Sequence, residues 1–263
     1  SNHTEDITIV LVPKGLDNRI FLEAKASADA AGKELGINIE WSGSVTSDAE
    51  KQIEVMERLI ERKVDGILIS CNNAEQLTDV IDQAIAAGIA VGTLDSDAPD
   101  SQRQFYIGSD NYALGQEAAR QMRTLLPDGG MVGVLEGLPD AQNLQARLKG
   151  FYDGLAGSGI ECYPAVSGKD DFQISVAVVE EFTAQTADLD AWFFAGGWPL
   201  FAEPEALPNL SAFTAAGGHV VAVDAAWPML RHVEDGRVDI LLGQGYGEMG
   251  DLGVRTLLSL IRG

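Results

Sequence analysis

Positive charge is scarce in this chain. Its 263 residues carry 18 Lys and Arg against 40 Asp and Glu, a formal net charge of −22 at pH 7. That much negative charge repels nucleic acid and anionic membrane surfaces, so a DNA-binding role for these residues is disfavoured. Histidine is nearly absent: His3, His219 and His232 are scattered and none has metal-ligand spacing. His219 opens a strand-like run and His232 is expected on a surface helix, so no Ser/His/Asp arrangement can be built from them. The two cysteines, Cys71 and Cys162, fall in strand-like segments of different halves, and distance stands against a bridge between separate lobes. They read as two lone buried thiols, which leaves the redox compartment open. No apolar run approaches the roughly 18 residues needed to span a bilayer. No signal-peptide pattern is present either, and Ser1-Asn2-His3 reads as an expression or cleavage remnant ahead of Ile7. The phosphate-binding Gly-x4-Gly-Lys-Ser/Thr loop is missing. Asp95, Asp97 and Asp100 lie close together without the glycine and glutamate of a calcium loop.

What is present is a full core. Apolar residues make up 46% of the chain. Apolar runs at Ile7 to Val12, Ile37 to Trp41, Gly66 to Ser70 and Val91 to Leu94 alternate with helical spacing at 19–35, at 53–60 behind a cap at Ser47 or Asp48, and at 77–87. Strands apolar on both faces, separated by amphipathic helices, predict a parallel sheet covered on both sides, hence a doubly wound α/β unit. After the stretch Thr93 to Asn111, which holds Phe105-Tyr106-Ile107, the pattern restarts. Strands are expected at Met131 to Leu135, Ile160 to Ala165, Ala191 to Ala195, Val220 to Asp224 and Ile240 to Gly243. Helices are expected near 113–126, 147–156, 172–185, 210–216 and 248–262, with Gly196 to Pro208 as loop.

The halves resemble each other. Ala86-Ala87-Gly88 followed after six residues by Asp95 matches Ala215-Ala216-Gly217 followed after six by Asp224, an offset of 224 − 95 = 129. Val64-Asp65-Gly66-Ile67 resembles Leu189-Asp190-Ala191-Trp192 at 190 − 65 = 125. Two versions of one α/β unit are expected: a first lobe from 1–108 with 245–263, and a second from 109–244.

Ligands of open α/β sheets sit beyond the carboxyl ends of the strands. Those ends carry Lys14, Asp17 and Asn18; Cys71-Asn72-Asn73; Asp95, Ser96 and Asp97; then Glu136, Gly196-Gly197-Trp198, Asp224 and Gln244. Carboxylates that accept from vicinal hydroxyls, amides, an ammonium group and nearby aromatics suit a small polyhydroxylated ligand. Asp95 and Asp224 form the one carboxylate pair that could serve acid–base chemistry, but binding is the simpler reading. Gly245-x-Gly247-x-x-Gly250 matches a dinucleotide fingerprint between strand and helix, yet no further strand and no acidic ribose partner follow it.

Val12-Pro13-Lys14-Gly15, Val64-Asp65-Gly66-Ile67, Leu94-Asp95-Ser96, Ser109-Asp110-Asn111 with Gly115, Arg147-Leu148-Lys149-Gly150-Phe151, Val223-Asp224 and Gly243-Gln244 follow one another in this order. With these landmarks the sequence resembles the periplasmic sugar-binding proteins of bacterial ABC importers of the ribose-binding type, and less closely the effector domains of lac-repressor-like regulators. Pro13-Lys14 and Asp95-Ser96-Asp97 also resemble the autoinducer and rhamnose receptors. The resemblance implies two similar doubly wound lobes joined by a multi-strand hinge at Ser109-Asp110 and Gly243 to Gly245. It implies a sugar held in the cleft between the lobes, lobe closure read by a membrane permease, an extracytoplasmic location and a monomer. It implies no catalytic residue, cofactor or metal. The contacts it implies are Lys14 and Asn18 after strand one, Phe21 and Phe172 as stacking aromatics, Asp95 on ring hydroxyls, Arg147 from the second lobe, and Asp224 with Gln244. Ser96 stands where members often place an Arg. Gly196-Gly197-Trp198 stands where ribose binders have an Asn, with Trp198 supplying the missing surface or only packing the loop. Ribose itself is thereby in doubt. A regulator's effector domain is expected to carry a helix-turn-helix ahead of strand one, where six residues precede Ile7. Members usually add a third crossing after the last helix, and here Gly263 alone follows it.

Overall fold

Apolar strands with helices between them build two parallel sheets. The computed structural model describes residues 6–263; Ser1-Asn2-His3 lies outside the described residues. The chain divides into unit 1, residues 1–109, 140–142 and 245–263, and unit 2, residues 110–139 and 143–244. Residue 109 and residues 140–142, expected within the second lobe, group here with unit 1.

In unit 1 the strands β1 (Thr8–Val12), β2 (Asn38–Trp41), β3 (Gly66–Ile69), β4 (Ala90–Leu94) and β5 (Phe105–Ile107) stand in the order β2-β1-β3-β4-β5. Every neighbouring pair is parallel. The connecting helices are α1 (Leu22–Leu35), α2 (Ala49–Arg62) and α3 (Ala74–Ala86). Asp48 caps α2 by accepting from the Lys51 N–H, and Asn73 caps α3 by accepting from the Gln76 N–H. Asn73 therefore starts α3 three residues before the apolar spacing reveals it. On one face of the sheet Val10, Val12, Ile67, Ile69 and Val91 pack with Val55, Met56 and Leu59 of α2 and with Leu77, Val80 and Ile81 of α3.

Unit 2 opens with α4 (Asn111–Leu125), capped by Asp110. It continues through β6 (Gly130–Glu136), α5 (Gln142–Leu155), β7 (Ile160–Cys162), β8 (Val166–Ser167), α6 (Phe172–Gln185), β9 (Ala191–Phe194), α7 (Pro208–Ala215), β10 (His219–Val223), α8 (Trp227–Glu234) and β11 (Ile240–Leu242). The sheet order is β11-β10-β9-β6-β7 with β8 also on β6, all parallel. With β6 and β7 read as the first two strands, this is the order of unit 1. The α3–β4 and α7–β10 junctions repeat in detail: the helices end at Ala86 and Ala215, and Gly88 and Gly217 both have positive φ, +86° and +102°.

Three expectations need correction. The strand expected over Ile160 to Ala165 is two short pieces, β7 and β8, with Pro164 between them; proline has no N–H to give to the ladder. The loop expected over Gly196 to Pro208 holds two 3-10 turns, Trp198–Phe201 and Pro204–Ala206, and all four residues of the first are buried. His232 lies on α8 but is fully buried, not on a surface. Its Nε2 faces the Ala202 carbonyl at 3.1 Å while Nδ1 accepts from Arg237 Nε at 3.0 Å, partners that hold the ring neutral. Burial, with Arg237 and Arg231 adding to it, keeps its pKa below the ordinary value.

The last helix, α9 (Tyr246–Arg262), returns to unit 1 and lies along α1. It covers the second face of that sheet, where Gly253 faces Leu68 and Gly66 faces Leu257. The glycine motif that opens α9 is explained by this packing. A Cβ on Gly250 would stand 2.2 Å from the Ala24 carbonyl oxygen, whereas a Cβ on Gly247 would meet nothing within 4 Å. The expected outcome is that Gly250→Ala destabilises by about 1–3 kcal/mol through overpacking. Gly247→Ala should hold or raise stability, by reducing backbone freedom in the unfolded chain. Urea midpoints of the two variants check the contrast.

Candidate functional site

In unit 1 the carboxyl ends of β1, β3 and β4 are bound together by buried polar side chains. Asp95, 2% exposed, follows β4 in left-handed backbone at φ 63°. Its N–H donates to the Ile107 carbonyl at 2.9 Å, keeping the chain beside β5. Its carboxylate accepts from Ser70 Oγ at 2.8 Å and from the Tyr246 hydroxyl at 2.7 Å. The Tyr246 ring meets Phe21 edge-on, with centroids 5.6 Å apart. Phe21 is thus buried beneath Tyr246 and helps to seat the ring that reaches Asp95.

Lys14 is buried at the end of β1, and its carbonyl accepts from Asn72 Nδ2 at 2.9 Å. Asn18 accepts from the Ile20 N–H and caps the 3-10 turn that leads into α1. Ser96 has no exposed surface, and its carbonyl accepts from the Cys71 N–H. Gln52 of α2 ties the strand ends from below, donating to the Pro13 and Ser70 carbonyls and accepting from the Asn72 N–H.

Asp97 is held differently. Arg103 grips it with two donors, Nε at 2.8 Å and a terminal nitrogen at 2.7 Å, and Thr93 adds a hydroxyl at 2.6 Å. Burial by itself raises its pKa, but these bonds outweigh burial and hold the carboxyl below its ordinary value. Burial, reinforced by the Asp97 charge, pushes the Cys71 thiol far up, so it stays protonated. Burial likewise lifts Cys162 to about 11.

Unit 2 builds a parallel arrangement. Asp224 follows β10 at φ 83°, 5% exposed, and its N–H donates to the Leu242 carbonyl at 2.8 Å. Its carboxylate accepts from Gln244 Nε2 at 2.9 Å and from the Gly197 N–H at 3.0 Å. Arg147, 2% exposed on α5, donates to the Ala195 carbonyl, to Asn111 Oδ1 at 2.7 Å and to Gln244 Oε1 at 3.3 Å. Arg147, Gln244 and Asp224 therefore form one chain of hydrogen bonds. The Trp198 indole lies over Gly137 and Gly196, whose missing side chains make room for it. Phe172 is half-buried at the start of α6.

The residues expected from the sequence thus fall into two sets. Lys14, Asn18, Phe21, Asp95 and Ser96 lie in unit 1; Arg147, Phe172, Trp198, Asp224 and Gln244 lie in unit 2. The sequence reading missed four partners. Gln52 was visible as a polar residue on the apolar face shared by Val55, Met56 and Leu59. Ser70 stood at a strand end. Asn111 and Tyr246 are the first residues of α4 and α9, a correspondence that emerges once the two helices are aligned.

A model of the periplasmic binding protein domain matches residues 9–263. The chain belongs to that family. It is similar to the D-ribose/D-allose-binding protein of Pseudomonas aeruginosa, 30% identical across 97% of this chain and 82% of that protein. It is also similar to the ribose import binding protein RbsB of Bacillus subtilis, 24% identical across 100% of this chain and 84% of that one. Among solved structures it resembles an ABC transporter solute binding protein from Burkholderia graminis in complex with D-arabinose. The TM-score there is 0.92, with 30% identity across 100% of this chain and 91% of that one. Two parallel-sheet α/β units are the family's fold, as the alternation of strands and helices led us to expect.

The contrast between Asp97 and its neighbours is testable. A carboxyl whose folded pKa is lowered adds stability that is fully present above its ordinary value near 3.8 and is lost as pH falls through the folded value. Asp97→Asn is expected to destabilise the protein at pH 7 by about 1–3 kcal/mol, the range for hydrogen bonds to charged groups. The gap between variant and parent should narrow as thermal melts are taken from pH 5 down to pH 2.

Proposed function

We propose that this chain is the sugar receptor of a bacterial ABC importer, holding a small sugar or related polyol for delivery to the transporter's membrane permease. The observation that carries the reading is the repeated arrangement at the end of the fourth strand of each sheet. A buried aspartate in left-handed backbone is backed there by hydroxyl donors in unit 1 and by an amide and a backbone N–H in unit 2. Carboxylates set beside amides and aromatic rings suit ligands that offer hydroxyl hydrogens and C–H faces. Relatives similar over nearly the whole chain are named for binding ribose or allose or were solved in complex with D-arabinose, and they are receptors, not enzymes.

The proposed contacts are Lys14, Asn18, Phe21, Asp95 and Ser96 with Arg147, Phe172, Trp198, Asp224 and Gln244. A ligand that engages both sets stabilises the arrangement in which it can do so, and that population shift is what a permease would read. Discrimination between sugars follows from buried acceptors that a wrong epimer leaves without a donor. We place the protein outside the cytoplasm, as the family implies, and infer a monomer that does not bind nucleic acid, in keeping with its net charge of −22.

A thermal-shift screen over pentoses, hexoses and deoxy sugars is expected to find at least one neutral sugar that raises Tm. Asp95→Asn and Asp224→Asn should each weaken that sugar by roughly tenfold or more, as expected when a hydrogen bond to a charged acceptor is lost. Calorimetric affinities unchanged in both variants would sink the assignment.

A further inference from the structure

Among the described residues, five that are not glycine have left-handed backbone: Lys63, Asp95, Lys169, Asp170 and Asp224. Lys63 closes α2, where such a residue is ordinary. Lys169 accompanies Asp170. The remaining three are aspartates, and they share two further properties. Each is buried, at 2%, 3% and 5% exposed for Asp95, Asp170 and Asp224. Each follows the carboxyl end of a strand: Asp95 after β4, Asp224 after β10, and Asp170 just past β8. Residues held in sparsely populated backbone regions concentrate at ligand sites, because the surrounding structure must enforce them.

We propose that Asp170 is a third sugar-binding carboxylate, in unit 2, which selects ligands by the hydroxyl they present to it; this rests on the sugar-receptor reading above. Its surroundings fit the role. Asp170 Oδ1 accepts from the Leu138 N–H at 3.2 Å, which aims the carboxylate at Gly137. A Cβ on Gly137 would lie 1.7 Å from that oxygen and 2.8 Å from Trp198 Cζ2, so Gly137 is the point where carboxylate and indole meet. Trp198 directly follows Gly197, whose N–H donates to Asp224. Asp170, Trp198 and Asp224 therefore line one stretch of a single sheet edge. A carboxylate beside an aromatic face matches the two kinds of surface on a neutral ring sugar, hydroxyl hydrogens and C–H.

Two local tasks at this turn fall to residues beside Asp170. Asp171, not Asp170, caps α6 by accepting from the Ile174 N–H. The turn itself is held by Ser167, whose hydroxyl donates to the Gly137 carbonyl and accepts from the Lys169 N–H.

The test is calorimetry on the full chain with the tightest neutral sugar of a pentose and hexose panel and each of its monodeoxy analogues. Asp170→Asn is expected to weaken the parent sugar by about tenfold or more. It should not weaken the one analogue that lacks the hydroxyl facing residue 170. Asp170→Glu, which keeps the charge and moves the carboxylate by one methylene, should give the same pattern for the same analogue, and decides the question if Asp170→Asn does not fold. Affinity unchanged by the substitution, or a loss equal across all analogues, overturns the proposal. Asp95→Asn run alongside separates the two readings: if it also binds as the unaltered protein does, the sugar site itself is refuted, whereas failure at Asp170 alone leaves that site standing.

Discussion

A carboxylate withdrawn from water must find donors at once, since burying a charge without them costs many kcal/mol. Both units are organised around meeting that demand where the fourth strand ends. Left-handed backbone at Asp95 and Asp224 turns the chain while each N–H still bonds to the edge strand, through Ile107 and Leu242. The donors that reach the two carboxylates come from separate parts of the sequence. Ser70 ends β3, Tyr246 opens α9, Gly197 follows β9 and Gln244 follows β11. Meeting the demand of one side chain therefore fixes the relative placement of several strand ends. Asp97 shows the contrary solution two residues from Asp95: a bidentate guanidinium closes it off and makes it a structural anchor.

The same logic governs how each unit is completed. α4 and α9 are equivalent helices, and their first residues, Asn111 and Tyr246, both reach into the polar network of their own unit. Five residues into each helix stands a glycine, Gly115 and Gly250. A Cβ on Gly115 would lie 1.9 Å from the Arg147 carbonyl oxygen, and one on Gly250 would lie 2.2 Å from that of Ala24. In both places a helix approaches its neighbour closely enough that only glycine fits, and that approach brings its first residue to the strand ends. Gly150, where a Cβ would lie 2.0 Å from the Tyr112 carbonyl oxygen, shows that α5 meets α4 on equal terms.

Much of this was legible in the residues. The strand runs and the Ala-Ala-Gly to Asp repeat specified two copies of one doubly wound unit, because period and register are local properties of the chain. Strand ends could be listed for the same reason. What stayed hidden was the closing of hydrogen bonds between segments far apart in sequence: Tyr246 with Asp95, Asn111 with Arg147, Gln52 with three backbone groups. Gly245-x-Gly247-x-x-Gly250 could be set aside as a nucleotide loop from its context, but helix packing as its reason needed the position of α1. Pro164 was visible as a strand breaker, yet the run around it read as one strand, since apolarity continues through Tyr163-Pro164-Ala165. His232 misled in the opposite direction, because a histidine on a short helix carries no mark of the Arg237 and Ala202 groups that bury it neutral.

The two polar networks differ in kind, and under the proposed function the difference bears on recognition. In unit 1 the Asp95 carboxylate is backed by hydroxyls on a strand end and on an aromatic ring, groups that can rotate to donate or accept as a ligand requires. In unit 2 Arg147 is committed to Ala195, Asn111 and Gln244, and Gln244 in turn directs its amide nitrogen to Asp224, so donor and acceptor directions are set before any ligand arrives. A planar guanidinium fork with a fixed amide is a rigid template, and rigidity reduces the ordering that binding must impose. Stereochemical selection is then expected to reside mainly in unit 2, with unit 1 adapting. On the proposed assignment of contacts, the departures from ribose binders at Gly196 to Trp198 fall on the rigid side, where a change of surface should alter the preferred sugar more than the ability to bind one.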